Sequence, residues 1–189
     1  MKELSQMTLE ELWQLFPIIL KEHNPQYKNW YEEEKSSLLD NFSNIILRIN
    51  HIGSTSVENL IAKPTVDILM EISKESNVEE VKDKLISMGW LLMNSNEPDF
   101  WQVYNKGYTK EGFAEKVYHL HVRHKKDWNE LYFRDYLIDH PEIADEYGKL
   151  KLSIWKEFEH NRDGYTEAKT QFISKVVDKA RSEYGNRYV

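Results

Sequence analysis

Two apolar, β-branched segments stand close together in this chain and restrict its fold more than any other feature. Ile45-Ile46-Leu47-Arg48-Ile49-Asn50-His51-Ile52 reads as a core strand that Gly53 stops, and Thr65-Val66-Asp67-Ile68-Leu69-Met70-Glu71-Ile72 reads as a second, set off by Pro64. Side chains alternate along a strand, so Asp67, Leu69 and Glu71 share one face. In the connection, Ser54-Thr55-Ser56 is placed to cap a short helix over residues 57–61.

Helical patterns flank this pair. Thr8 and Glu11 have capping-box spacing and precede Leu9, Leu12, Trp13 and Phe16, which predicts a first helix ending before Pro25. Trp30, Leu38, Leu39 and Phe42 predict a second, with Glu32, Glu33 and Glu34 on its solvated face. After the second strand, residues 79–88 form a helix closed by Gly89, which implies a crossover to a strand at 90–93. Runs at 100–104 and 116–122 look like a hairpin around the turn-rich 105–112. Beyond Trp128 the pattern is helical, with Pro141 opening a helix to about residue 159 and a last one over about 166–184. No repeat or linker divides the chain, so residues 1–189 are expected to form one domain of α+β class.

Charge and composition narrow the function classes. A net charge of -7 speaks against an extended nucleic-acid surface, though it leaves room for a locally basic pocket. With no cysteine there is no thiol nucleophile, disulfide framework or zinc-thiolate site. The N-terminal residues read as a charged amphipathic helix rather than a signal peptide, and no apolar run approaches the ~20 residues of a membrane span. A cytoplasmic protein with no membrane partner is therefore expected.

Candidate chemistry gathers between His51 and Asp67. A strand that ends in Gly53-Ser54 and leads into a helix offers unpaired backbone N–H groups and small hydroxyls to a phosphate. Lys63 could add a cation, and Asp67 could hold a divalent metal that bridges phosphate oxygens. His51, Thr55 and Ser56 flank the turn and complete the candidate substrate-binding set there, His51 also being read as a hydrogen-bonding partner of the turn. His119 and His121 point to one face of their strand, either as hydrogen-bonded structural residues or as metal ligands. Arg134 is a candidate for the pocket, with Asp135 beside it on the helix but not facing it. Trp101 and Tyr104 could stack a base or pack against neighbouring strands.

The stretch from His51 to Val57, followed by Lys63-Pro64 and Asp67, resembles the GrpB family. The likeness continues through His119-Leu120-His121-Val122, Phe133-Arg134-Asp135-Tyr136-Leu137 with His140-Pro141, and Tyr165-Thr166 with Lys169 and Phe172-Ile173, covering roughly residues 27–178. That family looks like a branch of the nucleotidyltransferase superfamily. The resemblance implies a mixed β-sheet flanked by helices, with N-terminal helices and a C-terminal helical segment. It also implies that Gly53 and Ser54 form a phosphate turn, that Asp67 is a catalytic metal ligand, and that Tyr165 and Lys169 reach the pocket.

The implied activity is binding of a nucleoside triphosphate with Mg2+ or Mn2+ and transfer of a nucleotidyl group to an acceptor that the resemblance does not identify. The chain departs from the superfamily pattern at Leu69, where a second carboxylate is expected. Glu71 lies ~13 Å along the strand from Asp67, too far to share an ion. If His119 and His121 join Asp67 instead, a transition metal such as Zn2+ is favoured. The alternative is a domain that keeps a nucleotide or phosphate pocket, or assists folding, without transfer. GrpB-like domains also resemble a domain joined to some dephospho-coenzyme A kinases.

Overall fold

The computed structural model describes residues 2–96 and 100–189. The order is α1 (Leu9–Leu15), α2 (Gln26–Phe42), β1 (Ile46–Ile52), β2 (Val66–Ile72), α3 (Val78–Ser87), β3 (Leu91–Asn96), β4 (Trp101–Thr109), β5 (Gly112–His124), α4 (Asn129–Asp139), α5 (Pro141–Ile154) and α6 (Arg162–Tyr184). The expected α+β class holds, with helices before and after a mixed sheet. Its five strands run in the order β1-β2-β5-β4-β3. Strands β2 and β5 are parallel and the other neighbours antiparallel. Helix α3 is the anticipated crossover: it carries the chain from β2 to the far edge, and the β4–β5 hairpin fills the gap.

Alternation sorts the two faces of the sheet. Ile68, Met70 and Ile72 of β2, with Leu120 and Val122 of β5, pack against Tyr27 and Leu38 of α2 and Leu85 of α3 in the main core. The opposite face sets Asp67, Leu69 and Glu71 beside His119, His121 and Arg123 in parallel register. There Leu69 packs with Ile52 and Leu131. A second cluster joins α4, α5 and α6 through Tyr132, Tyr136, Tyr147 and Val176, and ties them to Val57 and Leu60. The polar residues of β2 and β5 therefore lie beneath the C-terminal helices.

Four sequence expectations need correction. Helix α1 has the Thr8–Glu11 capping box but ends at Leu15, because Pro17 has no N–H to give and restricts the residue before it. Residues 57–61 are not helical: Ser54–Ser56 makes one 3-10 turn, Val57 is extended, and Asn59 has a φ of 62°. The hairpin is longer than expected, since its strands continue through 105–112 to a tight turn closed by Gly112. Glu34 is not on a solvated face. It lies on the buried stripe of α2 with Tyr27, Tyr31, Leu38 and Phe42, and accepts from Lys106 Nζ at 2.9 Å.

Pairing along the hairpin also shifts between Lys106 and Tyr108. Gly107 sits there with a φ of +87°, where a Cβ would run into the Lys116 carbonyl. By simple alternation Tyr108 would share the face of Lys106, toward α2. The bulge re-aims it, so that its hydroxyl meets His119 on the other face.

Candidate functional site

At the end of β1 the chain turns at Gly53, whose φ of 72° and ψ of −177° favour glycine. A Cβ placed there would lie 2.5 Å from Asp67 Oδ2, so glycine also lets the turn close onto β2. The side chains after it brace the turn. Thr55 Oγ1 donates to the Thr65 carbonyl at 3.0 Å and, its proton so used, accepts from His51 Nε2 at 2.9 Å. Ser56 Oγ donates to the Gly53 carbonyl. The His51 ring stacks on Tyr31 with centroids 4.9 Å apart, and burial lowers it to about 4, leaving it neutral.

Asp67 faces His119 Nδ1 at 3.2 Å and His121 Nε2 at 3.9 Å. Burial works against its charge, but hydrogen bonds from these two histidines outweigh that and hold the carboxyl far below its usual range. The tautomer of His119 follows from its partners. Asp67 only accepts, so Nδ1 carries the proton. Nε2 takes Tyr108 Oη at 2.7 Å and Arg162 at 3.4 Å, and Arg162 only donates. Burial, reinforced by Lys63, lowers His119 to about 3, so it stays neutral.

Basic side chains gather beside this carboxylate and the Gly53 turn. Lys151, 2% exposed, donates to Ser54 Oγ at 3.0 Å and to the Ile61 carbonyl. Burial and then Lys169 bring its amine down to about 7. Lys63 is also lowered to about 7, by burial and by Arg162 and Lys169, against the pull of Asp67. Lys169 is lowered to about 8 by burial and Arg162, again against Asp67. Its Nζ lies 4.1 Å from the centre of the Tyr165 ring, one helical turn away, and the Tyr165 hydroxyl is buried without a hydrogen-bond partner. Each amine is depressed because it is desolvated among like charges.

Beside the turn lies a cleft of about 740 Å³, lined by Gly53, Ser54, Asp67 and His121 and by the apolar Phe133, Ile173 and Val177. Neither aromatic suggested for stacking is there. Tyr104 is fully buried in the main core, and Trp101 stands outside the cleft. Trp128 lines it instead, with the Arg123 guanidinium 4.4 Å from its ring centre.

Of the expected residues, Gly53, Ser54, Lys63 and Lys169 therefore surround Asp67, while His51, Thr55 and Ser56 support the turn from within. Arg134 is engaged elsewhere. It donates to Asn50 Oδ1 at 3.0 Å, to the His51 carbonyl at 3.1 Å and to Tyr188 Oη at 2.9 Å. It also bonds Asp135 at 2.8 Å, so these two helical neighbours do meet. The backbone N–H groups expected to receive a phosphate are partly used, since Ser56 and Val57 donate to the Gly53 and Ser54 carbonyls. Sequence reasoning missed Lys151, Arg162 and Tyr108. Lys151 left a signal: with Ala144, Tyr147 and Gly148 it completes the buried stripe of α5.

The donor set does not fit a divalent ion. Asp67 supplies the one carboxylate, because Leu69 is fully buried in an apolar contact and Glu71 is paired with Arg48. His119 has no free lone pair, its Nδ1 being protonated toward Asp67 and its Nε2 taken by Tyr108 and Arg162. Among the described residues, no group of three or more His, Asp or Glu side chains is arranged to hold a metal. Within the expected trio, Asp67 and His119 thus form a hydrogen-bonded pair with His121 Nε2 3.9 Å from the carboxylate, and the basic groups nearby would repel a metal.

Fold and site define an α+β protein whose mixed sheet presents a glycine turn and a single carboxylate to a cluster of basic side chains, Lys151 buried and Lys63, Arg162 and Lys169 partly so. The chain belongs to the GrpB family, whose sequence profile, described as GrpB protein, matches residues 17–179. The glutamate-rich protein GrpB of Alkalihalophilus pseudofirmus is 30% identical over 85% of this chain and 94% of its own length. YqkA of Bacillus subtilis is 29% identical over 84% of this chain, which spans only 46% of that protein. The crystal structure of the conserved protein GrpB from Enterococcus faecalis superposes on 88% of this chain and 99% of its own, with a TM-score of 0.77 at 29% identity. The Cid1 poly(U) polymerase aligns with a TM-score of 0.47 at 10% identity, a distance at which neither site nor activity transfers.

Proposed function

We propose that this protein binds a phosphate-bearing small molecule, with nucleotides the first class to test, where Gly53, Ser54 and Asp67 meet Lys63, Lys151, Lys169 and Arg162. The observation that carries this reading is the convergence of four basic side chains, Lys63, Lys151, Lys169 and Arg162, in a chain of net charge -7. Partly desolvated basic groups crowded together without matching counter-charge favour an anion that joins them. The adjoining cleft gives such a ligand room for an apolar portion.

Nucleotidyl transfer through bound metals, the activity that the resemblance implies, has less support, because position 69 offers a buried leucine in place of a second carboxylate. The test is a thermal-shift screen of nucleoside triphosphates with Mg2+, Mn2+, Zn2+ or no metal, on wild type and Lys169→Met, with pyrophosphate release followed in parallel. A ligand at ~100 times its Kd should stabilise the wild type by ~2.7 kcal/mol, a shift of several degrees. The shift should shrink in Lys169→Met, and no pyrophosphate should be released. Metal-dependent pyrophosphate release would favour transfer.

A further inference from the structure

Four basic side chains from three parts of the chain converge beside the Gly53 turn, Lys63 and Lys169 within electrostatic reach of Asp67, Arg162 at His119 and Lys151 at Ser54. Lys63 comes from the β1–β2 connection, Lys151 from α5, and Arg162 and Lys169 from α6. Arg162 and three lysines, whose amines are lowered to about 7 to 8 and so take up protons readily when an anion arrives, stand against the single Asp67 carboxylate. The cluster enters the site at separate points: Lys151 through Ser54 Oγ at 3.0 Å, and Arg162 through His119 Nε2 at 3.4 Å. Positive charge is thus spread along the site, which suits linked phosphates better than one.

We propose, resting on the anion-binding reading above, that the ligand is an oligophosphate held directly by these cations without a divalent metal, and that Asp67 acts as their internal counter-charge. A metal at Asp67 would need a donor that His119 cannot give in its fixed tautomer and a second carboxylate that Leu69 has replaced. It would also stand against Lys63, Lys169 and Arg162. An oligophosphate meets none of these obstacles. Asp67, held in place by His119, keeps the cluster from being a bare knot of like charges when no ligand is present.

Calorimetric titration of the full chain with inorganic pyrophosphate and with orthophosphate, each in EDTA and in MgCl2, tests this. Pyrophosphate should bind in EDTA at least ~10-fold more tightly than orthophosphate, a difference of ~1.4 kcal/mol. Arg162→Met and Lys169→Met should each weaken it severalfold. Asp67→Asn separates the two roles by sign: removal of a counter-charge tightens pyrophosphate binding, whereas removal of a metal ligand abolishes it. The unliganded melting temperature of each variant reports whether it is folded, and Mn2+ titration followed by electron paramagnetic resonance should show no ion bound through Asp67. Binding that appears only with Mg2+, or is lost in Asp67→Asn, overturns the metal-free inference and leaves the anion site standing. No binding of pyrophosphate under either condition overturns both.

Discussion

Gly53 meets two demands at once, a left-handed backbone and an approach to Asp67 too close for any side chain. Gly53→Ala should therefore cost about 1–3 kcal/mol by urea denaturation and weaken pyrophosphate binding, because the methyl group displaces the carboxylate. Unchanged stability and affinity would show that the turn is not tied to β2 as described. Lys151 gives a pH dependence. Its folded-state value of about 7 lies below the ordinary 10.5, so between those values the unfolded chain holds a proton that the folded chain lacks. Stability should rise with pH from about 7 to about 10 and be lower at and below 7. Lys63 and Lys169 act in the same direction. Lys151→Met should therefore flatten, without abolishing, the rise in urea midpoint over that window, and an unaltered slope would refute a buried neutral amine. The glycine turn and Asp67 were legible from residue order alone, whereas Lys151 was missed although its place on an apolar helical stripe marked it. Arg162 carried no such mark, since a cation at the start of a helix is ordinary until the fold brings His119 to it.

Between elements, the clearest clip is Arg48 on β1 with Glu71 on β2. Glu71 is fully buried and receives Arg48 side-on through Nε and Nη2, with the backbone N–H of Lys126 adding a third donor at 3.1 Å. Spacing alone ruled Glu71 out as a partner for Asp67 at a metal, and the structure supplies its actual role. Arg48→Met should cost ~3–5 kcal/mol because it strands a buried carboxylate, and adding Glu71→Leu should recover most of the loss. Chemical denaturation of both single variants and the double variant measures this, and full additivity would count against direct pairing. The bulge at Gly107 is the element-scale feature hardest to foresee. Residues 105–112 look like a long turn because Asn and Gly are frequent there, yet the strand passes through them, bending once to aim Tyr108 at His119.

At the scale of the whole molecule, the sheet is covered on one face by the main core and on the other by α4, α5 and α6, whose seam is closed by the C-terminal segment. Tyr188 packs beside Ile52, Leu69 and Leu131, accepts from Arg134 at 2.9 Å, and lies with its ring centre 5.2 Å from the Arg48 guanidinium. Tyr188→Ala should destabilise the protein by roughly 2–4 kcal/mol, since it removes an apolar contact and leaves Arg134 and Asp135 partly unpaired. Hydrogen exchange should then quicken in α4 and β1 more than in α3, and a uniform change would contradict a local seam. Among the described residues no helix is long and apolar enough to cross a membrane.

The sequence by itself determined the local parts, because periodicity and punctuation act over a few residues: the two core strands, the capped first helix, the crossover, the C-terminal helices and the Gly53–Asp67 motif. Its separated motifs also indicated the family, to which the chain belongs. Only the tertiary structure decided which cations meet. Lys63, Lys151, Arg162 and Lys169 span more than a hundred positions, and their proximity depends on how α5 and α6 close over one face of the sheet. It likewise decided that His119 is a proton donor to Asp67, because a tautomer is set by partners in space, here Tyr108 and Arg162.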